Sequence, residues 1–251
     1  TKGGRANAML TALAWPFKES KAKKLLSELK QYKDTISLAL ATESIWDTKA
    51  IFATLTEMQQ HEVYKWLYVT DLSPLHHKVG DCYEAGTGDL VFRSDQWKSW
   101  LEGDSRSVWI HGIPGAGKTI LASHIIEALT IQFDEIDNTC VVYYYYYYGH
   151  NQDEAAPFLK WVPNQLCRRA EKVPGYLYKL YSLGSEPSFS SLLRAFEEIT
   201  DTFDRVFLVV DAVDESMPRQ NILRAIRDLA TDERFRNVHI LLISREYIDI
   251  E

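Results

Sequence analysis

The stretch His111-Gly112-Ile113-Pro114-Gly115-Ala116-Gly117-Lys118-Thr119 constrains the fold more than any other part of the chain. It fits G-x-x-x-x-G-K-[ST] at Gly112, Gly117, Lys118 and Thr119. Glycines let a backbone wrap close enough to phosphate oxygens for several N–H groups to point inward. The helix that follows adds the positive end of its dipole. Lys118 would set a point charge between β- and γ-phosphates, and Thr119 would offer its hydroxyl to Mg2+. The flanks agree with such a loop. Val108 to His111 (VWIH) is a short apolar run, and Thr119 to Leu129 reads as a helix. Gly112 through Ile120 is thus the expected phosphate cradle, with Ile113, Pro114, Gly115 and Ala116 forming its turn. The pattern leaves open whether a nucleotide here serves group transfer, mechanical work or a switch.

The remainder of the C-terminal part alternates strand with helix. Cys140 to Tyr148 (CVVYYYYYY), Arg205 to Val210 (RVFLVV) and Val238 to Ile243 (VHILLI) read as strands buried on both faces. Phe158 to Ala170 and Leu192 to Phe203 read as helices. This rhythm predicts an α/β fold, a P-loop NTPase core whose parallel sheet is flanked by helices. The tyrosines from Tyr143 to Tyr148 are expected to alternate between the two sheet faces, their hydroxyls reaching polar groups or water.

An α-helical segment precedes this core. Leu25, Leu26, Leu29, Tyr32, Ile36 and Leu40 recur at helical spacing, and a second pattern runs from Ile51 to Leu67. Gly and Pro are absent from Lys18 to Ser73. Pro74 and Gly80 in TDLSPLHHKVGD suggest a linker, giving expected domains at 1–79 and 80–251. His76 and His77 read as surface residues.

Two further stretches carry chemistry. Val206 to Ser216 (VFLVVDAVDES) is an apolar strand ending at Asp211, where a carboxylate would reach the Mg2+ shell. Asp214 and Glu215 follow within a turn, placed to orient or deprotonate a water. In ILLISRE, Ser244 and Arg245 end the last strand on the same sheet edge, where Arg245 could sense a γ-phosphate. No NKxD stretch, LSGGQ signature or Arg-rich insertion occurs, which disfavours Ras-like GTPases, transporter-type ATPases and small-metabolite kinases in turn.

Charge and cysteine usage exclude other classes. A net charge of −7 argues against a general nucleic-acid binder. Residues 1–35 are nevertheless basic, and residues 18–33 could make weak contact with an anionic membrane. Cys82, Cys140 and Cys167 are widely spaced and form no C-x-x-C pair, so a reducing, cytoplasmic setting is expected. The apolar segment Ala8 to Trp15 is too short and broken for a signal-peptide core.

HGIPGAGKT, LVVDAVDES and LLISRE together resemble the NACHT family within the STAND class of signalling NTPases, specifically its fungal NOD-like receptor type. YEAGTGDLVFRSDQWKSWL is similar to that family's segment before the first strand, and the resemblance covers about residues 80–251. It implies a nucleotide-dependent switch in fungal self/non-self recognition or immunity. Such a switch binds ATP or GTP with Mg2+ and hydrolyses it slowly to ADP or GDP. Self-association and a downstream signalling partner are implied too. Gly112, Gly115, Gly117, Lys118 and Thr119 would be its Walker A loop and Asp211 its Mg2+ acid. Asp214 and Glu215 would position water, with Arg245 as sensor. The sequence departs from the pattern at Ala212, often Gly in animal members, and at Glu246, usually Pro. Family members continue with further domains, which implies that 80–251 is a core cut short. A stand-alone NTPase or kinase-like enzyme, and a scaffold holding nucleotide structurally, remain the alternative readings of the residues themselves.

Overall fold

The computed structural model describes residues 23–24, 27–33, 57–134, 136, 138–146 and 153–247. The chain divides into two compact units, Thr1–Gln59 and Gln60–Glu251. In the first, residues 23–24, 27–33 and 57–59 are helical, and Leu29 and Tyr32 are exposed. Lys23, Lys24, Lys30 and Lys33 are exposed as well. Leu25, Leu26, Ile36 and Leu40 of the expected apolar stripe, Lys18 and Lys21 of the basic segment, and Ala8 to Trp15 lie outside the described residues.

The second unit has the expected α/β architecture. Its elements are the helical stretch 57–67 (α1, of which 60–67 belongs here), α2 (Ser73–Gly80), α3 (Asp89–Arg93), α4 (Asp95–Glu102), β1 (Ser107–His111) and α5 (Lys118–Phe133). There follow β2 (Thr139–Tyr145), α6 (Ala155–Arg169), α7 (Gly175–Ser182), α8 (Phe189–Thr200), β3 (Arg205–Asp211), α9 (Gln220–Thr231) and β4 (Val238–Ser244). The strands form one sheet in the order β1-β4-β3-β2, every pair parallel. All of β4, and all of β3 after Arg205, is buried, which explains why both read as unbroken apolar runs. No helix among the described residues is long and apolar enough to cross a membrane.

The tyrosine run behaves as its alternation requires. Tyr143 and Tyr145 face α2, where His76 stacks on the first ring at 4.7 Å and bonds the second hydroxyl at 2.8 Å. Tyr144 faces α6, packing edge-on against Phe158 and donating to Glu154 at 2.5 Å. Tyr147 and Tyr148 lie outside the described residues. Among the described residues β2 is an edge strand, and its backbone is capped at Tyr143 by side chains of α6. Gln165 accepts from Tyr143 N at 3.2 Å and donates to Tyr143 O at 2.8 Å, while Trp161 Nε1 donates to the same carbonyl at 3.1 Å. Such capping blunts an edge that would otherwise template pairing.

The segment read as a linker contains α2. Pro74 looks like a breaker, but it sits in the first turn, where its missing N–H costs nothing. The connection to the sheet is tight further on. Tyr83 stacks on His124 of α5 at 3.8 Å, and Phe92 meets the same ring edge-on at 5.3 Å. Gly88 starts α3 at φ +81, and a Cβ there would lie 2.7 Å from Leu121 Cδ1. Gly88→Ala should therefore lose about 1–2 kcal/mol from left-handed strain alone, with the overlap adding to it. Urea unfolding of the two proteins checks this, and equal midpoints would contradict it.

Candidate functional site

The sheet order brings the sequence-selected residues to one edge. β4 lies between β1 and β3, so its C-terminal end separates the phosphate loop from Asp211. Gly112 N donates to Ser244 O at 3.3 Å, and Ala212 N donates to Ile243 O at 2.8 Å. The loop and the acid are thus pinned to successive residues of one buried strand. Ligands of open parallel sheets bind beyond this carboxyl edge, where the strand order reverses.

The loop itself is shaped by two glycines in the left-handed region, Gly115 at φ 78 and Gly117 at φ 77. Ala116 N closes the turn on Ile113 O at 3.3 Å. Gly117 begins α5 without a side-chain cap, so the first-turn N–H groups, including those of Lys118, Thr119 and Ile120, are left for another acceptor. Lys118 folds over its own loop, donating to Gly112 O and Ile113 O at 2.9 Å each. An ammonium has three donors, so one remains to reach a bound anion.

Asp211 is 2% exposed at the end of β3. The Thr119 side chain lies beside its carboxylate, and its Oδ2 is buried without a partner. Burial, opposed by the neighbouring polar groups of Thr119 and Ala212 and reinforced by Glu215 and Asp214, pushes its pKa up to about 7. A carboxylate so placed is short of a cation. Among the described residues no cluster of three or more His, Cys, Asp or Glu side chains could hold a metal ion. Thr119 and Asp211 fit Mg2+, which is commonly held by one or two protein oxygens plus substrate phosphates.

Asp214, Glu215 and Arg245 meet in one cluster. Arg245 N donates to Asp214 Oδ1 at 3.1 Å, its Nε lies 3.3 Å from Asp214 Oδ2, and its Nη2 lies 3.4 Å from Glu215 Oε1. Asp214 is 3% exposed at the side chain and Glu215 27%. Asp214 is therefore bound into a backbone-and-guanidinium clamp, and Glu215 is the acid that meets solvent. Ala212, between Asp211 and this cluster, holds φ 57 and ψ 36. That left-handed conformation favours glycine, which accounts for the glycine in the resembling pattern. Glu246, the other departure, reaches back across the edge to His111 Nδ1 at 3.7 Å.

A cavity of about 890 Å3 runs along the outer side of β1 between Leu90, Trp97, Val108 and Ile110. It reaches the start of the phosphate loop only at His111. Sequence reasoning missed a second polar group beside the site. His76, expected on the surface, is half-buried against Tyr143, Tyr145 and Ser123. Its partner Tyr145 is 69 positions away, and no local pattern could reveal that contact.

The model of the nephrocystin-3 N-terminal family matches residues 86–245. The chain belongs to the nephrocystin-3 N-terminal family. Its matched segment runs from the Gly86 turn to Arg245 and contains the phosphate loop, Asp211 and the Asp214–Glu215–Arg245 cluster. The matching model is not a NACHT model. Comparison with curated proteins gives no match. In this member of the nephrocystin-3 N-terminal family, the candidate site is carried wholly by the matched segment.

Proposed function

We propose that this chain is the helical N-terminal region and NTPase core of a NACHT-like signalling switch, of the fungal NOD-like receptor type. It binds ATP or GTP and cleaves it slowly. The observation that carries the reading is the buried, partnerless Oδ2 of Asp211 beside the Thr119 hydroxyl, at the edge that also holds the glycine loop. Thr119 and Asp211 would hold Mg2+, which would supply charge neutralisation to the phosphates.

The chain's own residues supply the rest. Lys118 and the first-turn N–H groups of α5 hold the phosphates. Glu215 orients and deprotonates the attacking water, and Arg245, held by Asp214, keeps Glu215 in place and faces developing negative charge. Nucleotide state then controls self-association and a downstream protein partner through the N-terminal region, in the cytoplasm. The exposed lysines 23, 24, 30 and 33 favour weak contact with anionic lipid. Nucleic acid is not a partner in this reading.

The first test denatures freshly purified protein and identifies released nucleotide by chromatography. Stoichiometric diphosphate is expected and names the base. A protein that releases nothing and gains no thermal stability from ATP or GTP with Mg2+ overturns the reading. Glu215→Gln should keep nucleotide binding and lower turnover by about 100- to 10,000-fold, the range of general-base losses. Equal single-turnover rates in the two proteins would remove Glu215 from the mechanism.

A further inference from the structure

Thr119 and Ser123 lie one turn apart on the same face of α5. In the sheet beneath, Asp211 is the register partner of Tyr145. Paired residues of parallel strands leave the sheet on the same side. On the first level Thr119 lies beside Asp211; on the next, Ser123 Oγ lies 3.4 Å from His76 Nδ1. The second level extends further. Tyr145 Oη lies 2.8 Å from His76 Nδ1, and Ser123 Oγ donates to the His76 carbonyl at 3.4 Å. α2 also approaches α5 at Gly80, where a Cβ would come within 3.2 Å of Ser123 Oγ. Ser123 and Tyr145 are 0% and 1% exposed.

We propose that Tyr145 and His76 are a positioning pair that couples the Mg2+ side of the nucleotide site to α2, so that filling the site tightens α2. The inference rests on the nucleotide reading above. Thr119 and Asp211 holding one cation between them would fix the first turns of α5 on the sheet. A packed helix moves as a body, so Ser123 is fixed with Thr119. In the Ser123–His76–Tyr145 chain the hydroxyls are buried and His76 is half-buried, so breaking its hydrogen bonds is costly and the constraint passes to α2. None of the residues of α2 is fully buried, and His76 is its half-buried link to β2 and α5.

The experiment measures hydrogen exchange of amides 76–81 in the full chain. Probes are ATP or GTP with Mg2+, the same nucleotide with EDTA, and no addition, with calorimetry run alongside. Exchange in α2 should slow about 3- to 10-fold with Mg2+ and nucleotide, the range a single hydrogen bond supplies, and less with EDTA. Tyr145→Phe should bind nucleotide with Mg2+ within a few-fold of wild type yet lose the slowing. His76→Gln, which keeps an acceptor, should retain more of it than His76→Leu. Circular dichroism confirms that each variant is folded. Binding by calorimetry with no change in α2 exchange overturns the coupling alone. Slowing that persists in both Tyr145→Phe and His76→Leu also overturns it. Absence of any nucleotide binding in wild type overturns the coupling together with the reading beneath it.

Discussion

Asp211→Asn should make the nucleotide-free protein more stable at pH 8 while removing its Mg2+-dependent gain in nucleotide affinity. The sign follows from linkage. The folded state holds the Asp211 proton up to about 7, against an ordinary value of 3.8. Between those values the native state binds the extra proton, so stability falls as pH rises through that window. Above pH 7 the folded protein carries a buried, partly satisfied charge. The full displacement corresponds to roughly 4 kcal/mol, and relaxation of the site reduces what a measurement reads. A gain of about 2 kcal/mol would raise Tm by roughly 4–8 °C for a unit of this size. Asn keeps the shape without the charge. The gain should vanish below pH 4, where the carboxyl is protonated in both states. Thermal unfolding at pH 4, 6 and 8 reads this directly. A variant less stable than wild type at pH 8 would show that Asp211 is already paired. Mg2+ binding should also expel part of a proton near pH 7, visible as a dependence of calorimetric heat on the buffer's ionisation enthalpy.

Lys118→Ala should weaken triphosphate binding by about 10- to 150-fold, since one charge-assisted hydrogen bond to phosphate contributes about 1.5–3 kcal/mol. The effect has two sources here. The ammonium is a phosphate donor, and it also ties the loop together through Gly112 O and Ile113 O. Alanine is a good residue in the first helical turn, so the fold should survive, with Tm shifted only slightly. Lys118→Arg should fail to restore affinity, because a planar fork cannot replace a compact ammonium that serves two carbonyls and a phosphate. Titration with a fluorescent nucleotide distinguishes these outcomes. Wild-type affinity in Lys118→Ala would mean that phosphate binds elsewhere.

Much of this site was legible because its signals are local. The glycine spacing, the apolar runs of β3 and β4 and the terminal Asp211 each require only neighbours in sequence. Two expectations failed because the deciding fact was positional. Pro74 reads as a break, yet at the first turn of α2 it is compatible with a helix. His76 reads as an exposed polar residue, yet stacking on Tyr143 and the bond to Tyr145 hold it inward. The short helix α7 and the helix α9 went unread as well. The role of Asp214 shows the same limit from another side. The sequence places it one turn past Asp211, but only the return of β4 reveals that Arg245 clamps it.

The capped edge of β2 has a consequence for assembly. With the amide and carbonyl of Tyr143 both taken by side chains of α6, the sheet resists recruitment of a new strand on that flank. Among the described residues β1 is the outer strand on the other flank, with a trough of mixed polar and apolar lining beside it. Among the described strands the sheet is thus a ribbon shielded at Tyr143 on one selvedge, which favours its lengthening on the other. That other side carries the glycine loop at its rim, so a strand arriving there would lie next to His111.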